Sequence, residues 1–496
     1  MKPEINTFQA DPMIQKNRWT ILIILNLFVF MSTLDGSIVN IALPVISKNL
    51  NLSISQTQWI VSSYLIAICT LILFFGRLGD IFGKIKVFKF GTVIFLVGSL
   101  LCGISSSLTE LIIFRIVQAV GASMTMANSQ GIITDIFPIK ERGKALGLVG
   151  TFVSLGSIAG PSAGGILVSA LGWESIFWVN IPIGIIAISV GWRLLPKDLG
   201  LHKGNLDWNG SLLFSIFIIS LFSGLLLGQQ VGYHDWRILT SLVVSIITFM
   251  LFLWTESHKD QPMLHFALFK NPAFSLSILC GFLVFASTFC FNIIAPFYTQ
   301  NILHLTPLGS GFLLMLFPIT MAVTAPFSGA LSDKIGSEFL TFIGLIVMVL
   351  AQFGLATLHN GSSVPLFGVL VAMLGFGNGL FQSPNNSLVM STVPRQHLGI
   401  AGSINSLIRN FGMVIGISLA TTTLFGVMSL KAGHRVTGLI PGHPDIFIEG
   451  MHVVFILSAI ICLTSAVLTG YRLIKTRRIV HSISHGEASI SQKSKL

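Results

Sequence analysis

The sequence predicts an all-α polytopic membrane protein of fourteen spanning helices, built as two related six-helix bundles with a two-helix hairpin inserted between them. Three observations carry that reading. Hydrophobic residues make up 53% of the 496 and charged residues only 9%, against roughly 25% charged in a soluble globular chain. The apolar residues fall in blocks of about 20, the length that crosses a hydrocarbon core of ~30 Å. Two charged, glycine-rich segments recur at a nearly fixed offset, which marks an internal repeat.

Long apolar runs bounded by charge or turn residues place the spans near 19–42, 57–76, 87–106, 108–136, 144–168, 175–194, 208–231 and 237–256, then near 272–297, 308–330, 338–357, 363–390, 399–426 and 449–472. An even number puts both termini on one side, and Lys and Arg collect in cytoplasmic loops. With the N-terminus inside, only four of the 29 basic residues fall in or at the edge of outer loops (Lys48, Arg237, Lys431, Arg435) and two deep within spans (Arg115, Arg409). The expected location is therefore the cell membrane, plasma or inner, with both termini cytoplasmic. The first apolar block is full length and is followed by no small-residue cleavage site, so no removable signal peptide is expected.

The repeat sets the domains. Gly76-Arg77-Leu78-Gly79-Asp80-Ile81-Phe82-Gly83 returns as Gly329-Ala330-Leu331-Ser332-Asp333-Lys334-Ile335-Gly336, 253 residues later, and Pro138 to Gly143 returns as Pro394 to Gly399, 256 residues later. The predicted units are a cytoplasmic segment 1–18, a six-helix bundle 19–194, the inserted hairpin with its flanking loops 195–271, a second bundle 272–472, and a disordered cytoplasmic tail 473–496 that is polar, basic and rich in Ser and Lys.

Several function classes drop out. The net charge of +11 is scattered between apolar blocks, not gathered with aromatics on one face, so no nucleic-acid partner is expected. The five cysteines lie inside spans without CxxC spacing, which suggests neither a disulfide framework nor a metal site. No phosphate loop, nucleophile–base pair, metal-ligand cluster or cofactor motif is present, so no enzyme and no cofactor are expected.

The residues that remain sit inside spans. Asp35 is the only acidic residue well inside one, where a carboxylate costs ~3 kcal/mol or more unless protonated, hydrated or paired. Burial tunes such a group toward taking up and releasing a proton, so Asp35 is the expected proton carrier, against the plainer reading of a structural Asp pinned to backbone or to an Arg. Arg115 shares a small, polar stripe with Gln118, Ala119, Ala122, Met126 and Ser129, a face expected to line water or a cavity. On the thirteenth span, Gly402, Asn405, Arg409, Gly412 and Gly416 form a comparable face; either Arg has the alternative of satisfying carbonyls at a helix junction. The loop after the second span, with Gly76, Arg77, Asp80 and Gly83 beside Lys84 and Lys86, reads as a latch between the halves, repeated at Asp333. Arg142 joins it as a gating candidate after the fourth span. On the fifth span Gly156, Gly160 and Gly164 lie four apart with Pro161 among them, a groove for close helix approach. Candidate cavity groups are Trp59, Tyr64, Asn292, Phe297, Tyr298, Gln382, Asn385 and Asn386, all of which have packing or interfacial anchoring as the alternative.

Together these segments resemble the major facilitator superfamily, and within it the fourteen-helix drug:proton antiporters of the EmrB/QacA type. Leu34 to Pro44 resembles the first-helix signature, Gly76 to Lys86 the loop after the second span, Arg115 with Gln118 and Gly121 the fourth-helix Arg motif, Gly156 to Gly165 the fifth-helix antiporter motif, and Asn405 to Gly412 the thirteenth span. The resemblance implies the major facilitator fold, proton transfer through the Arg115 motif, and export associated with the fifth helix. One departure stands out: relatives that expel dications often carry further carboxylates in later spans, and here spans nine to thirteen hold none at depth.

The expected activity is proton-coupled export of small amphipathic compounds by alternating access, with H+ as coupling ion, Na+ as its alternative, membrane lipid as surroundings and a monomeric state. The alternatives are dedicated export of one endogenous lipid, siderophore or metabolite, or a non-transporting membrane sensor on the same fold.

Overall fold

The computed structural model describes residues 8, 11–198, 206–259, 266–393 and 398–493, and among them fourteen helices are long and apolar enough to cross a membrane. They are α1 (Pro12–Asn49), α2 (Ile54–Phe82), α3 (Lys84–Gly103), α4 (Leu108–Ile136), α5 (Thr151–Leu171), α6 (Ser175–Leu194), the hairpin α7 (Trp208–Gln229) and α8 (Trp236–Ser257), then α9 (Pro272–Ile302), α10 (Pro307–Ser332), α11 (Ser337–Leu355), α12 (Val364–Ser391), α13 (Ile404–Ala432) and α14 (Pro444–Lys475). The helices containing α5 and α13 start earlier, at Ile139 and Leu398.

Local chemistry sets the ends. Asp11, Asn271 and Thr306 each accept a backbone N–H of the turn that follows, and each precedes a proline at the first helical position, where the missing N–H costs nothing. The breaks after α2 and after the helix containing α10, which runs on to Ile335, need only one residue each, Gly83 at φ +105° and Gly336 at φ +95°, a left-handed geometry that suits glycine.

That geometry corrects the expected loop. Gly76, Arg77 and Asp80 lie on the last turns of α2, because Leu78, Ile81 and Phe82 continue its helix without a breaker, and only Gly83 is the turn. The tail differs too: the helix containing α14 runs on as backbone to Lys493, since no proline follows Pro444 to stop it.

In a bilayer, lipid tails are as apolar as Leu, so helices associate through close packing rather than hydrophobic exclusion. The two bundles do this in the same way. A methyl group placed on Gly156 would lie 2.8 Å from the Phe30 carbonyl oxygen, 3.0 Å from Thr33 Cβ and 3.1 Å from Leu34 N; on Gly412 it would lie 2.7 Å from the Phe282 oxygen, 3.2 Å from Phe285 Cβ and 3.4 Å from Ala286 N. Gly156 and Gly412 are 256 residues apart, and their three partners on α1 and α9 are each 252 apart. The bundles are structural repeats.

The bundles meet on the face away from the chain termini. There the Gln300 amide donates to the Ile41 carbonyl at 3.0 Å and Ser55 N to the Thr437 carbonyl at 3.2 Å. Gly165 of α5 lies against Pro307 and Leu308, and Gly311 of α10 against the Pro161 carbonyl. The hairpin joins both bundles: Gln58 of α2 donates to Gln229 of α7 at 2.8 Å, and Gln229 donates to the Ser418 carbonyl and the Thr422 hydroxyl of α13 at 3.2 and 2.9 Å.

Candidate functional site

Asp35 and Arg115 form the centre of the first bundle. Arg115 Nη1 lies 2.5 Å from Asp35 Oδ2, and neither side chain reaches solvent. The carboxylate's other oxygen accepts from the Gln118 amide at 2.9 Å and the Asn180 amide at 3.2 Å, and both amides also approach the Ser99 hydroxyl, at 2.7 and 3.5 Å. Arg115 in turn donates to the Gln118 amide oxygen at 2.6 Å and, through Nε, to the Ile60 carbonyl at 3.2 Å, with its guanidinium 4.1 Å from the Tyr64 ring centroid. Five spans thus converge: α1 gives the acid, α4 the base and Gln118, α3 Ser99, α6 Asn180, and α2 the carbonyl and the ring.

A desolvated pair is tolerated only when its remaining donors and acceptors are also met. Here both carboxylate oxygens have partners, but Arg115 Nη2, Asn180 Oδ1 and the Tyr64 hydroxyl have no hydrogen-bond partner. The pair therefore has neighbours with unused hydrogen-bonding capacity that can take up water when its arrangement changes.

The geometry corrects one expectation. The stripe of Gln118, Ala119, Ala122 and Ser129 is buried among helices, because Gln118 is consumed by the ion pair; of the stripe only Met126 stays partly exposed. Asp35 and Arg115, read separately from sequence, are partners.

Asp80 is exposed and lies 3.8 Å from Lys84, whose closer partner is Asp135 at 2.9 Å. The acid that caps the start of α3 is Asp198, which accepts from Ile85 N and Lys86 N at 2.9 Å each and sits against Gly83. Gly76 has room to spare, its nearest contact Ala127 Cβ at 3.9 Å, and the tight approach of α2 to α4 is at Gly79, against Asn128. Arg77 is partly buried. The side chains of Arg142 and Asp333 lie outside the described ones. Gly160 packs on Ser37 and Gly164 on Ile38, so the fifth-helix groove receives α1, while Pro161 presents its carbonyl to α10.

Among the cavity candidates, Tyr298 is buried and its hydroxyl donates to the His359 carbonyl at 3.2 Å. Phe297 and Asn385 are buried, the latter donating to the Ser277 carbonyl, and Tyr64 is taken up by Arg115. These four hold helices together. Asn292 and Gln382 are partly exposed, as is Trp59. Asn405 donates to Asn386 at 3.2 Å, and Arg409 lies 6.0 Å from the Phe285 ring.

Sequence reasoning missed Ser99, Asn180 and Asp198. The first two are lone polar residues in apolar runs, the same signal that found Gln118. It also passed over Glu256, which is buried at the end of α8 and lies 3.7 Å from Lys259. Lys259 pairs with Asp207, the cap of α7. Burial pushes the Asp207 carboxyl up, but bonds with Glu256, Lys259 and the Gly210 N–H outweigh that and hold it below the usual carboxylate range.

The Asp35 site has no charged twin. Because α1 and α9 superpose at an offset of 252, Ser287 stands where Asp35 does; the offsets for α3 and α4, 253 and 256, place Gln352 for Ser99, Val371 for Arg115 and Leu374 for Gln118. Ser287 bonds Ser458 at 2.7 Å and accepts from Gln352 at 3.3 Å. The second bundle keeps the hydrogen bonds and drops the charges.

Comparison with known proteins agrees with this architecture. Residues 25–417 match the family model described as Major Facilitator Superfamily. The chain is 34% identical over 466 residues to the riboflavin transporter RibZ of Clostridioides difficile, covering 94% of this chain and 100% of that protein. It is 31% identical over 424 residues to the multidrug transporter protein MdtP of Bacillus subtilis, covering 85% and 77%. It is 29% identical over 421 residues to the tetracenomycin C resistance and export protein of Streptomyces glaucescens, covering 84% and 77%. Among solved structures, a bacterial homologue of the human lysosomal transporter Spinster, inward-facing and occupied, matches with a TM-score of 0.60 at 17% identity over 92% of this chain and 96% of that one. Fourteen apolar spans, a repeated bundle and these matches together establish that the chain belongs to the major facilitator superfamily and is a multi-pass membrane transporter, not an enzyme.

Proposed function

We propose that this transporter is a proton-coupled antiporter of the cell membrane that exports small amphipathic compounds by alternating access, with both termini cytoplasmic. The observation that carries the reading is the fully buried Asp35–Arg115 pair. Protonating Asp35 removes the counter-charge of Arg115 and frees Gln118 and Asn180, so the packing of α1 against α4 and α6 has two arrangements that differ by one proton. The helix moved by that change is also the one that Gly156, Gly160 and Gly164 of α5 grip, and α5 carries Pro161 and Gly165 to the seam with the second bundle. A proton entering down ~100 mV and one pH unit releases about 3.7 kcal/mol, enough for a several-hundred-fold gradient. Multidrug and export proteins among the relatives support the substrate class.

The test is transport in proteoliposomes with pH and sodium gradients imposed separately. The pH gradient alone is expected to drive uphill movement, and Asp35→Asn to abolish it while the protein still inserts. Unchanged uphill transport by that variant rules the reading out.

A second reading, transport dedicated to one compound, is favoured by a specific observation: the match to the riboflavin transporter spans that protein's whole length, whereas MdtP and the tetracenomycin C exporter are each matched over 77% of theirs. Riboflavin competition against a panel of unrelated amphiphiles separates the two, since a dedicated carrier responds to riboflavin alone.

A further inference from the structure

Arg409 is the second arginine at membrane depth, and unlike Arg115 it has no carboxylate partner among the described residues, only the Phe285 ring 6.0 Å away. Among the described residues no carboxylate lies within ion-pairing distance of it, no acceptor takes any of its N–H groups, and its Nε is sealed from solvent without a partner. A guanidinium carries five donors, and a buried charge is retained only where something pairs with it. The residue keeps a partly exposed surface.

Its direction follows from helical register. Successive residues turn by about 100°, so seven residues bring Arg409 to within about 20° of Gly402. Gly402 faces Gln130 of α4, in the other bundle, and Gly412 and Gly416 lean on α9 at Phe282 and Ala286. Gly416 lies within about 20° of Arg409 as well, so Arg409 stands between the Gln130 contact and α9, its guanidinium 6.0 Å from the Phe285 ring. The neighbouring face of α9 presents Phe282, Phe285, Phe289 and Asn292, three, seven and ten residues on from the first, and all four are partly exposed. A cation without a counter-ion thus borders an accessible row of aromatic rings. The second bundle supplies no acid at depth to neutralise it, since Ser287 replaces Asp35.

We infer that Arg409 is the receptor for an acidic group on the transported compound, and that the preferred substrates are planar aromatic compounds bearing a carboxylate or a similar oxyanion. The guanidinium fork matches a carboxylate with two parallel N–H···O bonds, and Phe285 and Phe289 offer the ring a flat apolar wall. This rests on the transporter reading but not on its proton coupling.

The experiment uses full-length protein and two probes, pyrenebutyrate and its methyl ester, with binding followed by energy transfer from tryptophan to pyrene in the absence of any gradient. Wild type is expected to bind the carboxylate at least tenfold more tightly than the ester, Arg409→Gln to bring that ratio to about one, and Arg409→Lys to give an intermediate ratio. A wild-type ratio near one, a preference that survives Arg409→Gln, or an equal weakening of both probes by the substitution overturns the inference. Monodisperse elution of each variant, with the Lys variant as charge-retaining control, separates these outcomes from misfolding. Loss of pH-driven flux in wild-type vesicles with the binding preference intact would instead count against proton coupling alone.

Discussion

Ser287 holds in the second bundle the place that Asp35 holds in the first. The two bundles share a packing frame, down to the atoms that Gly156 and Gly412 touch, yet only one carries an ionisable group at that point. At this position the first bundle holds a buried ion pair, while the second is fastened by hydroxyls, the Cys462 thiol and one amide.

The asymmetry gives a stability prediction. Removing one member of a buried pair strands the other and costs about 3–5 kcal/mol, whereas replacing both with apolar groups is nearly neutral. Asp35→Ala and Arg115→Ala are each expected to lower the thermal unfolding temperature markedly in detergent, and the double variant Asp35→Leu, Arg115→Met to recover most of the loss. All three should fail to transport. Additive destabilisation in the double variant would show that the two side chains are not energetically coupled.

At the start of α3, Asp198 accepts two backbone N–H groups and neighbours Gly83. Loss of a capping acceptor costs about 0.5–2 kcal/mol. Asp198→Ala should therefore destabilise the protein by that amount, and Asp80→Ala by less, because Asp80 is exposed with a single contact to Lys84 at 3.8 Å. Denaturation of the two variants side by side tests the order.

At the seam of α5 and α10 a methyl group on Gly165 would stand 2.8 Å from the Pro307 carbonyl oxygen and 3.0 Å from Leu308 Cα. Gly165→Val is expected to part the bundles on the face away from the termini. A cysteine placed at Gln300, otherwise buried, should then react with a membrane-impermeant maleimide at least several-fold faster than in the parent. The five native cysteines are all buried, so their background is low; an unchanged rate would mean that the seam does not govern closure there.

The Asp207 carboxyl, held below the usual range, stabilises the base of the hairpin in its ionised form. For a depressed acid the contribution is complete above the unfolded value and is lost as pH falls through the folded one. Stability should be flat in this respect from neutral pH to about pH 5 and decline only below about pH 4, with Asp207→Asn removing the acid-side decline. Equilibrium unfolding across that pH series is the measurement.

Much of this was legible in the sequence. The length and number of apolar runs give fourteen spans because a bilayer demands them, and the repeat is visible because Gly83 and Gly336 must both turn the chain with positive φ. Asp35 and Arg115 stand out since charge inside an apolar block is costly. Their pairing was not legible, because nothing in spacing tells which faces of α1 and α4 meet. Asp198 was invisible for a similar reason: it caps a helix more than 100 residues earlier in the chain. Tyr298 misled because a hydroxyl near a span end reads alike whether it faces a cavity or bonds a distant carbonyl.

The hairpin has a consequence for where a lipid-dissolved compound gains entry. Rocking of the bundles, as proposed above, would part them toward the bilayer along α2 and α13 on one side and along α5 and α10 on the other. The first is covered by α7, which packs its Trp208 on Phe74 of α2 and its Phe217 and Phe222 on Phe411 of α13. Under the alternating access proposed above, lateral access from the leaflet would be one-sided, by way of the α5–α10 seam, where small residues rather than an inserted helix lie between the bundles.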